Sequence, residues 1–427
     1  MDRLLIRGAV IIDPVNGINE RLDMLCENGH IAALAQVLQV EDAQVFDAGG
    51  LVCAPGLVDM HVHLRDPGQT YKEDIFSGCR AAAAGGVTSL ACMPNTQPVC
   101  DTPKVISYIN KRAVKAYARV YPVAAITKSL AGKQITDIAA LKNAGAVALS
   151  DDGYPVASPD IMAQALRLAS QLGIKVLAHC EDTALVKGGI INKGKVSQSL
   201  GLPGIDRAAE DEATARDIAI AESTGMPVHI CHVSTRRSVA LIREARQRGV
   251  QVTGETAPHY FTLTDEQLKS HDADFRMNPP LRTQDDVNAV IEGLCDGTLS
   301  AIATDHAPHS RQDKKDFFSA PNGVIGLETS LAAAITALVN TGNISLERLI
   351  MLMSAQPARI LGIPAGTLSI GAPADAVIFD QNETWKVSPD ELHGKSRNTP
   401  YKGMVFKGRV KATVLGGRLI YNNGCFL

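Results

Sequence analysis

Gly56-Leu57-Val58-Asp59-Met60-His61-Val62-His63-Leu64-Arg65 decides how the rest of the chain is read. The run starts as a short apolar stretch of buried-strand length and ends in two imidazoles one residue apart. Side chains at i and i+2 on a strand point the same way, so His61 and His63 share a face. In a barrel that face is the lumen, near the C-terminal mouth where barrel enzymes build their sites. A single His-x-His is also how buried, satisfied histidines look, so the reading depends on recurrence.

Outward from this run, short buried-type strands alternate with helical stretches over residues 54–362. The strands are expected at 56–63, 86–93, 118–126, 146–150, 174–179, 226–232, 250–255 and 299–305. Helical stretches between them include 161–172, 208–224 and 238–248. Eight strand–helix units of this total length predict an α/β fold, a (β/α)8 TIM-type barrel, with an open doubly wound sheet as the alternative. No GxGxxG or GxxxxGK[ST] follows any strand, which argues against a nucleotide-binding sheet.

Strand ends carry the chemistry. The fifth expected strand finishes in His179, the sixth in His229-Ile230-Cys231-His232, and the eighth in Ala303-Thr304-Asp305-His306. The fourth runs into Ser150-Asp151-Asp152-Gly153. With His61 and His63, five of eight strands thus end in a residue able to bind metal. Nitrogen and oxygen donors converging on one mouth suit zinc or a similar divalent ion. Taken singly, each is an ordinary polar residue where a strand meets a loop; at one rim together, the metal reading is preferred.

Residues 1–53 and 363–427 differ in style. Short β-like runs at 4–7, 9–13 and 29–34 return in the tail at 376–380, 411–415 and 418–421. They predict a small β-sandwich domain assembled from both termini. The 427 residues are 45% hydrophobic and 20% charged, which supports a large core and excludes wholesale disorder. Forty-two Lys and Arg against 45 Asp and Glu leave a net charge of −3, so no global field points to nucleic acid or a membrane surface. Nine scattered cysteines without a CxxC read as reduced, mostly buried thiols. No signal-peptide pattern and no long apolar run occurs, and the expected location is cytoplasmic. The polar stretch 309–316 reads as a mobile loop, and 310–322 as a segment that closes over a ligand.

Four longer matches narrow the family: Asp59-Met60-His61-Val62-His63-Leu64-Arg65-Asp66-Pro67-Gly68, Met93-Pro94-Asn95-Thr96, Glu255-Thr256-Ala257-Pro258-His259-Tyr260, and Ala303-Thr304-Asp305-His306-Ala307-Pro308-His309. The set resembles the dihydroorotases of the longer, bacterial type I class, within the amidohydrolase superfamily. Gly366-Thr367-Leu368-Ser369-Ile370-Gly371-Ala372-Pro373-Ala374-Asp375 is similar to the lead-in to the superfamily's C-terminal sheet, so the likeness spans nearly the whole chain.

The resemblance implies reversible cyclisation of N-carbamoyl-L-aspartate to L-dihydroorotate in pyrimidine synthesis, with one or two Zn2+ per subunit. It implies His61, His63, Asp152, His179, His232 and Asp305 as metal ligands and Asp305 also as proton shuttle. It further implies Arg65, Asn95, Asn278 and His309 as contacts to an anionic small-molecule substrate, and a homo-oligomer. Hydantoinases and other relatives bridge two metals through a carboxylated lysine at the end of strand four. Here that position has no lysine, and spacing to His179 favours Asp152 over Asp151; whether it bridges a second ion stays open. His259 and His306 are expected to support the site, while His30, His229, His271 and His393 are expected to be bystanders. Cys180 and Cys231 adjoin proposed ligands; strand alternation turns such neighbours outward, so both are read as packing residues. The rivals are a dihydropyrimidinase, hydantoinase or allantoinase, and a non-catalytic dihydroorotase-like partner of aspartate transcarbamoylase. The second would be expected to lose ligands, and none is lost here. A partnership with that transcarbamoylase alongside activity stays open.

Overall fold

A computed structural model describes residues 3–427; the first two residues of the N-terminal zone lie outside the described residues. Eight parallel strands run Leu57–Val62, Val87–Cys92, Arg119–Ala124, Ala148–Leu149, Lys175–Ala178, Val228–Ile230, Val252–Thr256 and Ala301–Ile302. They pair in sequence order. The first and last are joined by a parallel bridge between Val62 and His306, with His63 N donating to His306 O at 2.8 Å. The result is the expected (β/α)8 barrel.

The strands are almost wholly buried, as parallel strands covered by helices must be. Their outer faces pack on helices that include Ile75–Ala84, Pro159–Gln171, Ala208–Thr224 and Arg236–Gln247. The first, second and fourth start at a side-chain cap, from Asp74, Ser158 and Thr235. Inside the barrel lies a separate apolar cluster that includes Val58, Met60, Ala91, Met93, Val123, Leu177, Cys231 and Ala303. Helix Gln356–Leu361 adds Ala358, Ile360 and Leu361 to it. Each large side chain buried there stabilises the fold by about 1.5–3 kcal/mol, and together they make the lumen a packed core beneath the mouth.

The terminal strands form one continuous nine-stranded sheet. N- and C-terminal parts meet where Val52–Pro55 pairs antiparallel with Ala376–Lys386, with Cys53 opposite Ile378. The register slips between Ile6 and Ala9 of strand Arg3–Asp13, at Gly8 (φ +69°), and such a bulge sharpens a sheet's curl. Ile6, Ile11, Met24, Ile378 and Val414 share a core separate from the barrel's. The sandwich expected from the termini is therefore made by one sheet with its own core. Residues 393–401 leave this sheet and cross back to the barrel mouth: Lys395 N reaches Glu73, and Ser396 Oγ donates to Lys72 O at 2.7 Å. All nine cysteines are free, seven of them buried. No helix among the described residues is long and apolar enough to cross a membrane.

Candidate metal centre and substrate cleft

Asp152 is the hub of the mouth. Its Oδ1 lies 3.3 Å from His61 Nε2, 3.3 Å from His179 Nδ1 and 3.6 Å from His232 Nε2. Its Oδ2 lies 3.4 Å from His63 Nε2. Asp305 Oδ1 approaches the same pair from strand eight, 3.3 Å from His63 Nε2 and 3.6 Å from His61 Nε2. The neighbouring Asp151 turns away, accepting hydrogen bonds from Ile126 N and Thr127 N. Of the two aspartates, it is Asp152 that faces the imidazoles.

The donor set fits a divalent cation. His61 Nε2 is fully buried without a hydrogen-bond partner, yet two carboxylates face it. His179 Nδ1 and His232 Nε2 converge to 2.7 Å. Buried nitrogens and carboxylate oxygens aimed at a common point are costly unless something positive sits among them. Burial alone would raise the pKa of Asp305, but the facing imidazoles, His61 foremost, outweigh it and hold the carboxyl at about 2. Asp152 is likewise kept well below the usual carboxylate range, burial being overcome by His61. Both are ionised at neutral pH.

Two of the four imidazoles are oriented from behind. His61 Nδ1 is 2.9 Å from Glu255 Oε1, and His63 Nδ1 is 2.8 Å from Asn95 Oδ1. Such partners fix the ring tautomer and leave Nε2 free to bind. Glu255 also lies 3.3 Å from His229 Nε2, while His229 Nδ1 is 2.8 Å from Thr253 Oγ1. His229, expected to be a bystander, thus supports the carboxylate that orients His61. Asp59 Oδ2 accepts from Thr304 Oγ1 at 2.6 Å and ties strand one to the approach of Asp305.

Two residues required more than strand periodicity to place. Cys231, expected to point outward, packs inside the barrel with Leu177 and Ala303. His232 follows it inward because its backbone adopts a left-handed φ of 36°, which breaks the alternation. Arg65 (φ 58°) and Asp305 (φ 48°) share this conformation, which costs a non-glycine residue about 1–2 kcal/mol and clusters at functional sites. Burial keeps the Cys231 thiol protonated, its pKa pushed up to about 12. It is a packing residue from the inner side.

Nine of the ten expected site residues border one cleft, and His61 lies sealed beneath it. Arg65 Nε donates to Pro308 O at 3.3 Å, and a second guanidinium nitrogen lies 3.4 Å from His309 Nε2. His309 Nε2 is also 2.9 Å from Asn322 O. Burial, with the Arg65 charge behind it, pushes the His309 pKa down to about 2, so the ring is neutral. Asn278 Nδ2 donates to Glu181 Oε1 at 3.0 Å, and Asn95 Nδ2 stands 3.4 Å from Asp152. Gly153, Ala307, Asn322 and Gly323 complete the wall; Asn322 ends the segment expected to close over a ligand, and the other three carried no expected site role. Within the stretch expected to be mobile, Lys314 Nζ donates to Arg276 O and Pro321 O, and Arg276 donates to Phe317 O. Phe317 is buried, while Phe318 is exposed.

The family profile described as Dihydro-orotase-like matches residues 50–238. The chain is 51% identical to "Dihydroorotase" of Geobacter metallireducens, over 98% of this chain and 99% of that one. It is 48% identical to "Dihydroorotase" of Syntrophus aciditrophicus, over 98% and 99%. Its structure is similar to that of a dihydropyrimidinase from Brevibacillus agri (TM-score 0.88, 26% identity, 100% and 96% covered). An L-hydantoinase from Arthrobacter aurescens is similar at TM-score 0.89 and 25% identity, with 100% and 98% covered.

Proposed function

The chain belongs to the dihydroorotase family and is a cyclic amide hydrolase, and we propose that its cleft divides that work between a metal-binding floor and a carboxylate-binding roof. The reading rests above all on Asp152, one carboxylate facing four imidazoles.

His61, His63 and Asp305 with Asp152 would hold one Zn2+, and His179 and His232 with the same Asp152 a second. When bound, such ions polarise a carbonyl and make a water nucleophilic near neutral pH. The protein's own residues do the rest. In the hydrolytic direction water adds to the ring carbonyl carbon and the ring C–N bond breaks. Asp305, ionised, takes the proton from the water and delivers it to the departing nitrogen; in cyclisation the same carboxyl runs the transfer backwards. Glu255 and Asn95 hold the first two imidazoles so that Asp305 meets the substrate in a fixed geometry. Arg65, Asn278 and neutral His309 receive the substrate carboxylate, Arg65 through its planar fork and His309 through the Nε2–H it shares with Asn322 O, and Asn95 presents its Nδ2 at the same wall.

That roof separates this reading from a dihydropyrimidinase, hydantoinase or allantoinase, because an uncharged ring would leave the Arg65 guanidinium without an anionic partner. Purified protein should turn over N-carbamoyl-aspartate at mildly acidic pH and dihydroorotate at alkaline pH, with zinc measured on the same sample. Absence of turnover in metal-replete protein, or faster hydrolysis of dihydrouracil or hydantoin, would overturn it. A homo-oligomer in the cytoplasm is proposed on the resemblance and tested by sedimentation of the purified chain. Co-purification tests the transcarbamoylase partnership.

A further inference from the structure

Asn398 belongs to the tail, far in sequence from the barrel's last strand, and is 3% exposed. Its side chain spends itself wholly on the loop that carries His309. Nδ2 donates to Ala307 O at 3.1 Å and to Gly323 O at 3.0 Å, while Oδ1 accepts from His309 N at 3.1 Å. Its own carbonyl accepts from Ile325 N at 3.0 Å. Two of these partners are on the outgoing arm of the loop and two on the returning arm. The arms also meet directly where Ala307 N donates to Val324 O at 2.7 Å.

The spacing between the arms has no slack. A Cβ on Gly323 (φ +134°) would stand 2.7 Å from Ala307 Cβ and 3.1 Å from His309 Nε2. The outgoing arm bears His309 itself and Pro308, whose carbonyl holds Arg65 Nε at 3.3 Å. A shift of this arm therefore moves the imidazole and the guanidinium together, and misplacement of about 1 Å is enough to cost much of a binding or catalytic contact.

We propose that Asn398 is a positioning residue for substrate recognition, clamping the two arms of the loop so that His309 and Arg65 form one carboxylate-binding pair. It touches neither metal ligands nor substrate. The proposal rests on the reading of Arg65 and His309 given above, and the experiment separates the two.

KM and kcat for dihydroorotate, bound zinc and Tm are measured for Asn398→Ala, Asn398→Asp, Asn398→Ser, Ser396→Ala and His309→Ala. Asn398→Asp keeps the shape but sets a carboxylate against two carbonyl oxygens. The Asn398 variants should raise KM about tenfold or more, with kcat within about threefold and zinc per chain unchanged. Ser396→Ala loosens the same crossing segment at its bond to Lys72 and should lower Tm without moving KM. Should the Ala and Asp variants fail to fold, Asn398→Ser decides, since it retains one donor and should still raise KM severalfold. An unchanged KM in the folded Asn398 variants, an equal rise in Ser396→Ala, or loss of zinc in step with KM would each overturn the proposal. If His309→Ala raises KM and the Asn398 variants do not, only the clamp falls; if His309→Ala has no effect, the carboxylate reading falls and the clamp with it.

Discussion

The floor of the cleft hangs from barrel strands, whereas its roof is assembled from two loops and a crossing segment of the tail. On the floor, His61, His63, His179, His232, Asp152 and Asp305 stand at or just beyond strand ends, and Glu255 of the seventh strand braces His61. In the roof, Arg65, His309, Asn322 and Gly323 keep their places through carbonyl contacts and Asn398. Reacting groups need sub-ångström placement, which paired strands give; selectivity needs a surface that can vary without disturbing them, which loops give. Substitutions in the two regions should therefore fail differently.

The largest effect is expected on the floor. Asp305→Ala should lower kcat by about a thousandfold or more while the protein retains at least part of its zinc, read by steady-state kinetics beside metal analysis. Appreciable residual turnover would remove Asp305 as proton carrier. Glu255→Gln keeps the shape behind His61 but removes the charge. It should weaken zinc affinity about 10- to 100-fold in chelator competition, with KM unchanged once metal is saturating. Roof substitutions should reverse that pattern. Arg65→Met should raise KM about tenfold or more, since hydrogen bonds to a charged group contribute roughly 1.5–3 kcal/mol, and should leave zinc content untouched.

An effect on stability rather than on kinetics concerns Lys314, the buried amine whose hydrogen bonds hold the roof loop. Burial pushes its pKa down to about 7, whereas in the unfolded chain it titrates near about 10.4. Between these values the unfolded state binds more protons, so this group's contribution to stability rises with pH. Lys314→Met removes that slope, and the Tm of the variant minus that of the native protein should fall as pH is raised from about 7 to 10. A difference that grows with pH would contradict the assignment.

The floor was legible in the sequence because its donors recur where strands must end, at His61, His63, His179 and Asp305, although the pairing register shifts between Asp59 and Val62 and Met60 packs inside the barrel beside His61. Legibility stopped where the backbone leaves regular geometry. The left-handed turn at His232 reverses the alternation, so Cys231 points inward against expectation. Glu255 had no assigned role, although a carboxylate in a strand expected to be buried was signal enough to ask what it pairs with. His229 carried no such signal, because its contact with Glu255 depends on the register between strands six and seven. The roof was the least legible part. Asn398 meets Ala307 and Gly323 across a wide sequence separation, and the polar composition of 310–322 gave no sign that Phe317 and Lys314 would be buried.

Substrate preference tests the division of labour most directly. The ratio of kcat/KM for dihydroorotate to that for dihydrouracil, a ring without the carboxylate, is measured with zinc content in the native protein and in Arg65→Met. A strong native preference for dihydroorotate is expected, reduced about tenfold or more in the variant, with zinc per chain and the residual dihydrouracil rate unchanged. An unaltered preference, or a parallel fall for both substrates with loss of zinc, would contradict it.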